Sequence, residues 1–245
     1  MSQALPHGRE RRVGAQARTV VALETSTAAC SVALAVDGRV VEDHRVVARE
    51  HNRLILPMID SLLRVHGIER RRLDAVAFGR GPGSFTGVRI AAGVAQGIAL
   101  GLDLPVVPIS SLAALALAAA EANAVEGGAR VVATIRSRPD ETYVAAYRAD
   151  GTRCVALTEE ILAIAAAREP PISIDSQTLV VGDGTSHFAA AIAAAGCRVD
   201  ATALPRAGAV ALLALDAIER GQVVAPADAL PVYLQGTSPW RKLAE

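Results

Sequence analysis

The stretch LDAVAFGRGPGSFTGVRIAAGVAQGIAL, residues 73–100, decides the fold of this 245-residue chain. Leu73 to Phe78 is a short apolar run typical of a buried strand, and a glycine-rich loop from Gly79 to Gly83 follows it. Ser84 is a suitable N-cap for a helix that we predict from about 84 to 100. A strand joined to a helix by such a loop is typical of an α/β protein.

The predicted helix carries Gly93, Gly97 and Gly101 on one face, four residues apart. Glycine costs about 1 kcal/mol in a helix interior, so the close approach of another helix should offset that cost. The spacing leaves open whether that other helix belongs to this chain or to a partner.

A second predicted helix, 51–66, carries an apolar stripe that must also be covered. Burying six such side chains contributes about 10 kcal/mol, which favours a place in the core over one in an interface. The six residues are Leu54, Ile55, Met58, Ile59, Leu62 and Leu63.

The order of predicted elements suggests a duplication. Three antiparallel strands precede helix 51–66, at Thr19–Leu23, Ser31–Val36 and Arg39–Val47, with a turn at Asp37-Gly38. After residue 100 we predict a strand at 105–109 and then a helix to about 124. The second half repeats this order more faintly, with strands at 131–135, 143–148, 153–156 and 179–181 and helices at 158–167, 186–195 and 207–220. We therefore predict an α/β protein of two βββαβα units: a flexible tail at 1–17, an N-terminal lobe at 18–125, and a C-terminal lobe at 126–245 that ends in an extended tail.

Composition excludes several classes of function. The 25 basic and 25 acidic residues balance, so no global field would hold nucleic acid. Cys30, Cys154 and Cys197 are too scattered for a disulfide framework or a metal site, which favours a reducing cytoplasm. The apolar region 88–120 is interrupted too often to give the roughly 20 uninterrupted apolar residues that span a bilayer.

Two loops are candidate anion sites, and each has a plainer explanation. The loop 79–84 matches neither standard nucleotide motif, so a tight turn explains its glycines better than phosphate binding does. The turn 25–27 could hold a phosphate or satisfy its own hydroxyls. The candidate nucleotide or junction contacts are Thr25, Ser26, Gly81, Gly83 and Ser84. We predict no catalytic and no metal-binding residue, because the five histidines show no H-x-x-x-H spacing and no serine lies in a G-x-S-x-G motif.

Four segments together resemble the TsaB family, whose members take part in making threonylcarbamoyladenosine in tRNA. They are ALETSTAACSVAL at 22–34, HNRLILPMI at 51–59, the run from Ala77 to Ala99, and the ending formed by 231–234 and 240–242. The match is close through Leu112 and looser beyond it.

The resemblance implies a two-lobed actin-like ATPase-domain (ASKHA) fold and a non-catalytic scaffold that supports the catalytic subunit TsaD beside the ATPase TsaE. It implies that ATP is used by the partner subunits, that this chain needs no cofactor of its own, that tRNA is reached indirectly, and that the isolated chain can form a homodimer. The implied contact with TsaD or a second copy uses the helices of the first lobe, at Leu54, Ile55, Met58, Arg89, Gly93 and Gly97.

Departures from the catalytic paralogue agree with a silent subunit. Ala28 and Ala29 stand where that paralogue has an acidic pair, and Ser111 and Leu115 stand where it has metal-binding imidazoles. Arg136 replaces an aspartate usual in the family. The alternatives are an independent actin-fold ATPase or phosphotransferase, a metalloprotease, which the missing H-x-x-x-H disfavours, and a homodimeric binding module outside tRNA modification.

Overall fold

The structure is a computed structural model that describes residues 18–47, 49–125, 128–150, 153–164 and 170–234. The predicted tail at 1–17 and the family-like ending at 240–242 lie outside the described residues.

The first sheet has five strands in the order β3-β2-β1-β4-β5. Their bounds are β1 Thr19–Glu24, β2 Ala29–Val36, β3 Arg39–Val46, β4 Ala75–Gly79 and β5 Val106–Ile109. The strands β1 to β3 form antiparallel pairs, and Asp37 and Gly38 both adopt positive φ in the turn between β2 and β3, as the Asp-Gly signal predicts. The pairs β1–β4 and β4–β5 are parallel, which requires the helical crossovers that the chain supplies.

Helices α1 (His51–Val65) and α2 (Phe85–Leu102) cover one face of this sheet. The apolar stripe of α1 packs onto inward-facing strand residues such as Leu23 and Phe78. Ser84 caps α2, because its hydroxyl accepts a hydrogen bond from the Gly87 amide at 3.4 Å, and Asp103 ends the helix in a left-handed conformation.

The second sheet repeats the topology of the first. Five of its six strands lie in the order β8-β7-β6-β10-β11. Their bounds are β6 Ala129–Arg138, β7 Glu141–Asp150, β8 Arg153–Ala156, β10 Leu179–Val181 and β11 Arg198–Asp200. The antiparallel and parallel pairs fall at the equivalent positions of the two sheets. The duplication predicted from the order of elements is therefore present in the sheets.

One predicted element is wrong. We predicted a helix at 158–167, but Ile161–Ile164 forms strand β9, which pairs with Glu141–Val144 of β7. The strand β7 is long enough that β8 occupies one half of its edge and leaves the other half open. Pairing this open edge satisfies backbone groups that a short helix would leave exposed on the sheet.

Three helices complete the fold: α3 Ser111–Ala122, α4 Ala189–Ala195 and α5 Ala207–Glu219. The helices α3 and α5 pack against each other between the two sheets, α3 mainly on the second sheet and α5 on the first. Their alanine-rich surfaces allow this close approach. Residue 125 thus separates the two sheets in sequence, whereas α5, from the second half of the chain, completes the core of the first.

Candidate functional site

The turn after β1 and the start of α2 meet at one end of the first sheet. The Ser84 amide donates to the Ser26 carbonyl at 2.7 Å, and the Thr25 hydroxyl donates to the Gly87 carbonyl at 2.7 Å. A Cβ at Gly83 would lie 2.5 Å from the Ser26 carbonyl oxygen, so only glycine allows this approach. The structure therefore brings together four of the five candidate nucleotide or junction contacts, and close packing accounts for Gly83. Their role in binding a nucleotide or a partner stays a prediction.

The fifth residue, Gly81, faces the C-terminal segment. A Cβ there would lie 3.3 Å from the Val232 carbonyl oxygen, and the residue has φ +93°, which favours glycine. Its role in the described structure is thus to let the chain ending pass close to the loop.

Glu24 is a fully buried carboxyl at the base of this junction. It accepts hydrogen bonds from the Ser26 amide at 2.6 Å and from the Ser111 hydroxyl at 2.8 Å. Burial raises the pKa of Glu24, and the hydrogen bonds from Ser26 and Ser111 oppose that rise. A Cβ at Gly79 would overlap this carboxyl, so the buried carboxyl fits only because residue 79 is glycine.

A cleft of about 1090 Å³ opens between the junction and the second sheet. It is lined by 26–28, 47, 49, 51–52, 84–87, 90, 135–137 and 183. The Ser26 hydroxyl and the His51 Nε2 are buried there, and neither has a hydrogen-bond partner among the described residues. Across the cleft, the Arg136 amide donates to the Asp183 carboxylate at 2.8 Å, and its guanidinium donates to the Asp183 carbonyl and the Ser186 hydroxyl, each at 3.0 Å.

Arg136, which the sequence resemblance aligns with an aspartate, is held by its own loop. Across the residues that the structure describes, no three or more histidine, cysteine, aspartate or glutamate side chains come together as a metal site would require.

The predicted interface residues divide into two groups. Ile55 and Met58 are each 1% exposed and belong to the core of the first lobe, because the stripe of α1 faces its own sheet. This burial removes them from any surface that a partner could reach in this conformation. Leu54 is half-buried beside them, and Arg89, Gly93 and Gly97 are exposed on the outer face of α2.

The glycines of α2 have open space above them. A Cβ built on Gly93, Gly97 or Gly101 meets no atom within 4 Å. Since no element of the described chain approaches these glycines, the internal helix considered for them is not there. The sequence spacing found the face but could not show which way it points.

Comparison with known proteins gives the family. The family model for tRNA N6-adenosine threonylcarbamoyltransferase, TsaD, matches residues 44–220. The tRNA threonylcarbamoyladenosine biosynthesis protein TsaB of Escherichia coli is 37% identical over 228 residues, which cover 91% of this chain and 97% of that protein. The chain belongs to the TsaB family. The TsaB of Haemophilus influenzae is 53% identical over 125 residues, which cover 51% of this chain and 52% of that protein.

Solved structures agree with this TsaB assignment. YeaZ from Pseudomonas aeruginosa superposes with a TM-score of 0.79 at 38% identity, covering 89% of this chain and all of that one. Together with the repeated sheet topology, this confirms the two-lobed actin-like ATPase-domain fold. The membership also places the chain in the tRNA threonylcarbamoyladenosine system.

One helix of this TsaB-family chain, Phe85–Leu102, has the length and composition of a membrane span. It lies against the first sheet, where 33% of its 18 residues are buried. The core helices of folded domains can have the same length and composition.

Proposed function

We propose that this TsaB-family chain is a non-catalytic scaffold subunit for a TsaD-like catalytic subunit. In this role it supports the transfer of the threonylcarbamoyl group to the adenosine next to the anticodon of tRNAs that read codons starting with A. The TsaE-like ATPase joins the same assembly and tRNA is contacted indirectly, while ATP is used by the partners and this chain carries no cofactor. The assembly works in the cytoplasm, and the isolated chain can pair with a second copy through the same face.

The observation that carries this proposal is the glycine face of α2. Three glycines in one helix cost about 3 kcal/mol in helix propensity relative to alanine. The open space above them means that nothing within the described chain offsets the cost. A helix of a partner, packed closely over Gly93 and Gly97, would offset it.

The character of the junction supports a role without chemistry. Ala28 provides no ligand at the turn where the catalytic paralogue has an acid, and Glu24 is committed to Ser26 and Ser111 in the interior. The residues lining the cleft include no nucleophile paired with a base. What the site offers is a rigid junction next to an exposed helix.

A binding measurement tests the proposed contact. The TsaD-like subunit of the same organism is titrated with the wild-type chain and with Gly97→Glu, and complex formation is read by native mass spectrometry and calorimetry. We expect Gly97→Glu to abolish the complex while the chain keeps its melting temperature, because the added side chain enters open space. The matched control is Ala190→Glu, which adds the same charge to the exposed side of α4.

Two outcomes would count against the proposal. No complex with the wild-type chain would remove the scaffold role itself. A complex that survives Gly97→Glu would move the contact away from α2. Met58, although named with the interface from sequence, is unsuitable for this test, since a charge at a core position would unfold the chain.

A further inference from the structure

The segment after α5 returns to the first lobe and is fixed along α2. Val224 and Val106 exchange backbone hydrogen bonds at 2.9 and 3.0 Å, which places the segment beside β5. Further on, the Gln96 amide side chain of α2 donates to the Ala229 carbonyl at 3.2 Å. The Val232 amide then donates to the Arg80 carbonyl at 2.8 Å, at the glycine loop. These anchors place the next residue, Tyr233, over the start of α2.

Arg89 lies between two aromatic rings at this point. Its guanidinium carbon is 3.3 Å from the centroid of the Phe85 ring and 5.1 Å from that of the Tyr233 ring. The two ring centroids are 6.0 Å apart. Both distances from the cation lie within the range of a cation–π interaction. Tyr233 lies 148 positions after Phe85 and 144 after Arg89 in sequence, so it reaches them only because the C-terminal segment folds back onto α2.

The stack remains open to the outside. Phe85 is 63% and Tyr233 46% exposed, and Arg89 is exposed as well. Within the described ranges, no carboxylate forms an ion pair with Arg89. We call Phe85, Arg89 and Tyr233 the arginine stack. It holds a cation in a fixed place on the surface without a counter-charge from the described part of the chain.

Such a group fits an anionic occupant. A guanidinium is planar and presents parallel N–H donors that match a carboxylate or a phosphate, and stacking on rings leaves those donors free. A carboxylate is the form of anion that a protein partner offers, which is the case that the proposed function requires. Because the rings already restrict the side chain, less freedom is lost when a partner binds. Aromatic residues and arginine are also the types over-represented among residues that dominate binding energy. The stack continues directly into the glycine face, since Gly93 lies one helical turn beyond Arg89.

We propose that the C-terminal segment is part of the docking surface, with Tyr233 and Phe85 positioning Arg89 to bind a carboxylate of the partner protein. The partner is the TsaD-like subunit, so this inference rests on the proposed function. It adds a specific polar contact to the glycine face of α2. It also assigns a positioning role to the C-terminal segment around Tyr233, which is far from that face in sequence but next to it in the fold.

The test compares affinities of full-length variants for the TsaD-like subunit by calorimetry at two salt concentrations. Arg89→Met keeps the apolar stem and removes the charge, and we expect about 30-fold weaker binding, as for a dominant interface residue. The wild-type affinity should fall as salt rises, and the affinity of Arg89→Met should fall less, because the screened ion pair is gone. Tyr233→Ala should weaken binding about 10-fold through the loss of positioning, whereas Tyr233→Phe keeps the ring and should stay within about 2-fold.

The experiment distinguishes a failure of this inference from a failure of the proposed scaffold role. Arg72→Met removes an equally exposed arginine beyond α1 and should leave the affinity unchanged. If the wild-type chain binds and both Arg89→Met and Tyr233→Ala bind equally well, this inference fails while the scaffold proposal stands. If the variants lower only self-association of the chain, measured by sedimentation, the stack belongs to a contact between two copies and the inference also fails. If the wild-type chain does not bind at all, the proposed function itself fails.

Discussion

The glycines of this chain fall into two kinds according to the space around them: some have no room for a side chain, and others face open space. Gly182 has φ +98°, and a Cβ there would overlap the Thr134 carbonyl, so the position requires glycine. Gly97 lies in a regular helix with open space above it. The same residue type is therefore needed for folding at one position and, in our account, for association at the other.

This contrast gives a stability prediction for the isolated chain. Gly97→Ala should raise the free energy of unfolding by about 1 kcal/mol, because alanine favours the helix and meets no neighbour. Gly182→Ala should lower it through backbone strain and overlap. Urea denaturation of both variants measures this, and a destabilised Gly97→Ala would reveal an internal contact that our account denies.

The buried carboxyl of Glu24 makes a second prediction at this scale. Its pKa is raised by burial, so the folded state holds this proton more tightly than the unfolded state does. The free energy of unfolding therefore falls as pH rises from the ordinary pKa of Glu24 through its folded pKa. We expect the stability of the wild-type chain relative to Glu24→Gln to decline over that window in denaturant titrations. A difference between the two proteins that stays flat across this window would contradict the assignment.

Among the elements, α5 shows how distant parts of the chain depend on each other. Its first amides are capped by side chains of the first sheet: the Ala207 amide donates to the Ser31 hydroxyl at 3.0 Å, and the Gly208 amide donates to Glu42 at 3.1 Å. Arg206 adds an ion pair to the same carboxylate at 2.8 Å. Glu42 thus ties the second half of the chain to β3.

Replacing Glu42 by alanine should lower the free energy of unfolding by about 1–2 kcal/mol, mostly through lost capping, since Arg206 is half exposed and its ion pair is screened. Burial raises the pKa of Glu42, but the hydrogen bonds from Ser31 and Arg206 outweigh it and leave the pKa lowered. The stabilisation is therefore present above the ordinary pKa and is lost as pH falls through the lowered value. The deficit of Glu42→Ala, measured by chemical denaturation, should shrink in acid. Asp43→Ala removes an exposed ion pair on the same strand and should cost less than about 0.5 kcal/mol; an equal loss would refute the capping role.

Elements marked by a clear hydrophobic periodicity or a local turn signal could be predicted from the sequence, whereas short strands set by pairing with other strands could not. The stripe of α1 and the turn at Asp37-Gly38 are local signals, and both were confirmed. The strand β9 was predicted as a helix because its four residues take their conformation from the open edge of β7, which no local pattern records. The strand β11 was missed, since Arg198–Asp200 has three residues and no apolar alternation.

The candidate site follows the same rule. Thr25, Ser26, Gly81, Gly83 and Ser84 were predicted from two separate loops as candidate nucleotide or junction contacts, and that role stays a prediction. The pattern did not predict that backbone contacts bring four of them together. Periodicity placed Met58 and Gly97 on helix faces but could not tell a face turned to the core from one turned outward. The arginine stack was beyond prediction, because it needs the fold to carry Tyr233 back to α2.

In the whole molecule, the duplicated fold encloses two of its helices and leaves one face of α2 exposed. The two sheets enclose α3 and α5, so the interior is filled with helices that belong to the chain. The outer face of α2 is left exposed, with its glycines and the arginine stack side by side. A fold whose relatives include catalytic subunits is here, in our account, a rigid platform for a partner.

Synthesis of threonylcarbamoyladenosine in a reconstituted system separates a required scaffold subunit from one that is not needed. The reaction contains the TsaD-like and TsaE-like proteins, the carbamoyl-adenylate synthase, ATP, threonine, bicarbonate and tRNA, with or without this chain. We expect product only when the chain is present, and neither ATP hydrolysis nor transfer by the chain alone. Equal product with and without the chain would contradict the scaffold role.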